Sequence, residues 1–68
     1  MKEKVRINAQ IMSSTLRVID DADANLGVLS KEEAIKMAQA RGLDLIEISP
    51  NAVPPIAKIM DYGRFQYT

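Results

Sequence analysis

Sixty-eight residues leave room for one small domain, and its nine basic and nine acidic side chains balance to zero. The absence of Cys and His excludes disulfides, thiolate metal sites and the usual imidazole proton shuttle. A hydrophobic fraction of 47% without Trp points to a compact aliphatic core, not to a disordered tail or an enclosed active site.

Residues 1 to 13 mix charge with Asn, Gln and Ser and read as a loose N-terminal arm, from which Ile7 and Ile11 can dock on the body. The opening Met1-Lys-Glu-Lys-Val-Arg6 lacks the apolar stretch of a signal peptide, and the apolar runs are too short to span a bilayer. Cytoplasm is the expected location. Residues 14–61 read as the folded body. Leu16-Arg-Val-Ile19 is a β-branched strand signal ending in the turn-rich Asp20–Asn25, and Gly27-Val-Leu29 follows as the second strand of a hairpin.

Ser30-Lys-Glu-Glu33 is a capping box: the Ser30 hydroxyl accepts the Glu33 backbone N–H, and the Glu33 carboxylate reaches back to the N–H of Ser30. The helix it opens is predicted over Lys31–Arg41. Ala34, Ile35, Met37 and Ala38 point inward, and Gly42 takes the left-handed position that ends it. Leu43–Ile48 is apolar on both faces, which suits an interior strand. Ser49–Pro55 carries all three prolines and must be a loop, either a stiff crossing or a rigid ridge for a partner. Ile56–Met60 reads as the last strand, and Asp61 caps a helix whose start occupies residues 62–68. One amphipathic helix over a mixed four-stranded sheet is a two-layer α+β domain. The ubiquitin-like β-grasp has this element order.

Seven carboxylates against three cations lie between Asp20 and Glu47, a local net charge of −4, and the other residues carry +4. Such a dipolar domain can turn a basic face to nucleic acid although its total charge is zero. Asp21, Asp23, Asn25 and Glu32 match the first, third, fifth and twelfth positions of a calcium-binding loop. The sharp turn there needs Gly at the position of Leu26, and Gly27 comes one place late, so these acids read as a solvated hairpin turn. Ser13, Ser14, Ser30 and Ser49 have no His to activate them, and no Gly-rich phosphate loop is present. Neither catalysis nor a cofactor is expected. Near the end, Lys58 and Arg64 are candidates for phosphate contact, while Tyr62 and Phe65, three apart on a helix, read first as seals on the core and second as stacking platforms.

Gly42-Leu-Asp-Leu-Ile-Glu-Ile-Ser-Pro-Asn-Ala52, then Pro54-Pro55 and Ile59-Met-Asp-Tyr-Gly63, resemble the N-terminal domain of bacterial translation initiation factor three. Ile7-Asn8, Ile11, Leu16-Arg17-Val18 and Leu26-Gly27-Val28 fall where that family has its earlier signatures, so the likeness covers about residues 7–68. Ala57 stands where the family commonly has Cys, and Met12-Ser-Ser-Thr15 replaces a more charged stretch. The resemblance implies a β-grasp-like domain followed by a linker helix and a C-terminal RNA-binding domain. It also implies a monomeric, non-enzymatic ribosome-binding module of protein biosynthesis. Its implied partners are the small (30S) subunit, with its 16S rRNA and ribosomal proteins, and initiator tRNA. It implies roles in initiator selection and subunit anti-association, and no membrane. The expected contacts are Arg6, Asn8, Arg17 and Lys58 with the turn Asp61, Tyr62, Gly63, Arg64 and Phe65. The alternative is a ubiquitin-like domain that docks on protein alone.

Overall fold

Burial alternates along Thr15–Ile19, with Leu16 and Val18 fully buried and Arg17 exposed between them, as a strand with one face on a core requires. The computed structural model describes residues 5–66. Its elements are a 3₁₀ turn at Asn8–Gln10, then β1 (Thr15–Ile19), β2 (Asn25–Ser30), α1 (Lys31–Ala40), β3 (Asp44–Ser49), β4 (Ile56–Met60) and α2 (Tyr62–Gln66). The sheet order is β2-β1-β4-β3. The two central strands β1 and β4 are parallel, and each edge pair is antiparallel. The mixed four-stranded sheet with one main helix expected from the sequence is present. Its parallel pair is possible because the intervening chain, β2, α1 and β3, is long enough to cross over.

Helix α1 is built as its sequence dictates. The Glu33 N–H donates to Ser30 Oγ at 3.1 Å and the Ser30 N–H to Glu33 Oε1 at 3.3 Å. At the other end Gly42 sits at φ 67°, its N–H donating to the Gln39 carbonyl while the Leu43 N–H donates to that of Ala38. This pair of bonds satisfies carbonyls that the helix leaves open. Ala34 and Ala38 are fully buried in the cluster that contains Ile11, Leu16, Val18, Leu45, Ala57 and Ile59, with Ile35 and Met37 packed against it. Full burial of each large aliphatic side chain contributes about 1.5–3 kcal/mol.

Between Arg6 and Ile11 the N-terminal arm is docked on the body, as the apolar Ile7 and Ile11 allow. Ile7 bridges to Ile46, and the Glu47 N–H donates to the Arg6 carbonyl at 3.0 Å. Ile11 is 1% exposed, and Lys31 Nζ holds its carbonyl at 3.0 Å. Residues 1–4 of that arm lie outside the described residues, as do residues 67–68, over which the last helix is expected to continue. The same docking corrects the interior placement of β3. It is the last strand in the order, yet Leu45, Ile46 and Glu47 are all buried, because residues 6–8 run along its free edge. Ile46 belongs to the face away from α1 by its pairing with Lys58, and it is fully buried there.

Candidate functional site

The acidic hairpin turn is organised by Asp20. Its Oδ1 accepts the N–H groups of Ala22 and Ala24 at 2.9 and 2.8 Å, and Arg41 approaches from the end of α1, 3.5 Å from Asp20 Oδ2 and 3.1 Å from Asp21 Oδ1. The Ala24 N–H holds the Asp20 carboxyl below its ordinary value; burial pushes the other way, and Ala22 and Arg41 reinforce the lowering. Asp23, at φ 64°, accepts Lys58 Nζ at 2.7 Å. Among the described residues no three His, Cys, Asp or Glu side chains gather so as to hold a metal ion.

The expected basic residues fall into two groups. Arg17 and Lys58 lie on the sheet face away from α1, since Arg17 pairs with Val28 and Ile56 while Lys58 pairs with Ile19 and Ile46. Lys58 and Arg64 come together, lining with Asp21, Leu43, Met60 and Asp61 a hollow of about 180 Å³. Arg6 is set apart from them. It pairs along the β3 edge with Glu47, a residue in register with Ala57 of the α1-facing layer, and its guanidinium lies 3.6 Å from the nearly buried Glu47 carboxylate. Two of the four cations are therefore engaged within the fold. Arg17 and Arg64 are exposed and make no ion pair among the described residues.

Asn8 is occupied by the fold on both sides of its amide. Its Nδ2 donates to Asp44 Oδ1 at 3.1 Å, and its Oδ1 accepts the Leu45 N–H at 3.0 Å. Asp61 caps α2, its Oδ1 accepting the Gly63 N–H at 2.9 Å and its carbonyl the Phe65 N–H at 2.9 Å. The rings of Tyr62 and Phe65 stack at 6.3 Å with an interplanar angle of 19°, both half-buried. Asp44 and Glu47, which hold Asn8 and Arg6, escaped the sequence reading because each sits in an apolar strand with no polar spacing to mark it. The Pro-rich loop leaves Val53 98% exposed beside a cis bond to Pro54.

Comparison with known proteins bears on what this arrangement serves. A family described as "Translation initiation factor IF-3, N-terminal domain" matches residues 7–68. A protein of Aquifex aeolicus named translation initiation factor IF-3 is 48% identical over 65 residues, which is 96% of this chain and 37% of that protein. Proteins of the same name from Geobacter sulfurreducens and Methylacidiphilum infernorum are 48% and 51% identical, covering 97% and 98% of this chain and 38% and 31% of their own length. The chain thus spans well under half the length of the relatives it matches. With the family match extending over residues 7–68, nearly the whole chain, the chain belongs to the family of translation initiation factor IF-3 N-terminal domains.

Proposed function

We propose that this domain acts in translation initiation, binding the small ribosomal subunit, assisting initiator tRNA selection and helping to keep the large subunit away. The observation that carries the reading is the family match along residues 7–68; the relatives bear the name of an initiation factor, not of a catalyst. The cytoplasm is where such a module works. Binding rests on the outer face of the sheet and on the α2 turn. Arg17 and Arg64 contact phosphates directly, with Lys58 beside Arg64. Asp61 and Gly63 shape the turn, and the Tyr62 and Phe65 rings offer apolar surface to RNA or protein. Arg6 and Asn8, given their partners Glu47 and Asp44, serve chiefly to hold the N-terminal segment. A domain of zero net charge binds weakly by itself, and tethering to the remainder of a longer factor raises its effective concentration. α2 is the start of that connection.

The test places this domain in a full-length IF-3 relative and carries Arg17→Glu with Arg64→Glu. Binding to purified small subunits is expected to weaken, with the log–log salt slope shallower by about 1.5 for two lost phosphate contacts. Unchanged affinity and slope would remove the RNA contact from these residues. A protein-only mode is the second reading, favoured by Val28, 52% exposed on the same face as Arg17. It predicts an unchanged slope and NMR shifts with purified ribosomal proteins alone.

A further inference from the structure

One carboxylate holds both ends of the described chain. Asp44 Oδ1 accepts Asn8 Nδ2 at 3.1 Å, and its Oδ2 accepts the Tyr62 N–H, the first of α2, at 3.3 Å. Asn8 is fixed in turn by the Leu45 N–H at 3.0 Å and stands at φ 50°, a left-handed conformation that Asn tolerates better than most residues. A second feature brings the same two segments together. Val5, Arg6, Ile7 and Gln10 share with Tyr62 the lining of an open hollow of about 540 Å³.

From these contacts we infer that Asp44 couples the docking of the N-terminal segment to the direction in which α2 leaves the domain. The direction in which α2 leaves the domain depends on what grips its first turn. Among those grips are Asp44 on the Tyr62 N–H and Asp61 on the Gly63 N–H. When Asn8 withdraws, the Asp44 carboxylate loses the donor that fixes its rotamer, and water competes for the oxygen that holds Tyr62. When α2 swings away, Asn8 loses the same orientation. Coupling of this kind is reciprocal. A partner that engages residues 5–10 therefore releases α2, and one that redirects α2 loosens residues 5–10. The inference rests on the fold and stands apart from ribosome binding.

Amide hydrogen exchange on the 68-residue chain tests it. Asn8→Ala is expected to speed exchange at Tyr62 and Phe65 by about tenfold, the scale of a lost hydrogen bond to a charged group, with Leu16, Val18 and Ile59 unchanged. In the reverse direction Asp61→Ala, which uncaps α2 alone, speeds exchange at Leu45 and Ile11. Asn8→Asp serves if Asn8→Ala unfolds the chain, since it keeps the acceptor for Leu45 and removes the donor to Asp44. Coupling fails if either variant loosens only its own segment.

Discussion

Lys58 on β4 reaches across the face of β1 to the tip of the β1–β2 turn and meets the Asp23 carboxylate at 2.7 Å. The contact joins the most acidic stretch of the chain to the basic residue placed deepest in the sheet. It sets one carboxylate of a segment with a local charge of −4 against the single cation of β4.

That pair sits near the surface, with the Asp23 side chain 77% exposed and that of Lys58 27%, so a double-mutant cycle should give a coupling of only about 0.2–1 kcal/mol, weakened by salt. The effect expected on binding has the opposite sign. Asp23→Asn removes the charge that faces Lys58 at 2.7 Å, and small-subunit binding by a factor carrying this domain should tighten at low salt. Equal or weaker binding would show that Lys58 serves the turn and not a phosphate.

Ile11 decides whether the N-terminal segment is part of the core. At 1% exposure, in the same cluster as Leu45 and Ile59, Ile11→Ala should cost about 2–5 kcal/mol. A domain this small has only about 3–5 kcal/mol from its core, so the urea midpoint should fall sharply or the cooperative transition vanish. A mobile arm would leave the stability within about 0.5 kcal/mol of the parent.

Asp20 makes part of the stability depend on acid. Its folded pKa lies below the ordinary 3.8, because the Ala24 N–H foremost, then the Ala22 N–H and Arg41, favour the charged form more than burial opposes it. A depressed folded value means the contribution is fully present above the unfolded pKa and is lost as pH falls through the folded one. Urea midpoints taken from about pH 7 down to about pH 2 should therefore drop at the acid end. Asp20→Asn should lower the midpoint at neutral pH and flatten that acid limb. A parallel limb in both proteins would assign the acid sensitivity elsewhere.

Local chemistry was legible wherever a few neighbouring residues satisfy one another. The Ser30–Glu33 box, Gly42 at the end of α1, the break at Ser49–Pro55 and the Asp61 cap all close within about one helical turn or one loop. Their geometry follows from the side chains themselves. Strand bounds shifted by one or two residues, as for Gly27–Leu29, which extends to Asn25–Ser30, because pairing with β1 recruits flanking residues that lack strand character.

What the sequence by itself determined is the set of elements, the aliphatic core they share and the long strings that mark the family. Those features depend on spacing and on residue type, which the chain carries wherever it goes. Only the tertiary structure decided which charges remain available. Glu47 and Asp23 reach Arg6 and Lys58 across sequence separations of 41 and 35 residues, and Asp44 gathers Asn8 and Tyr62 from opposite ends. Such pairings arise when the sheet sets its register, and no local pattern announces them.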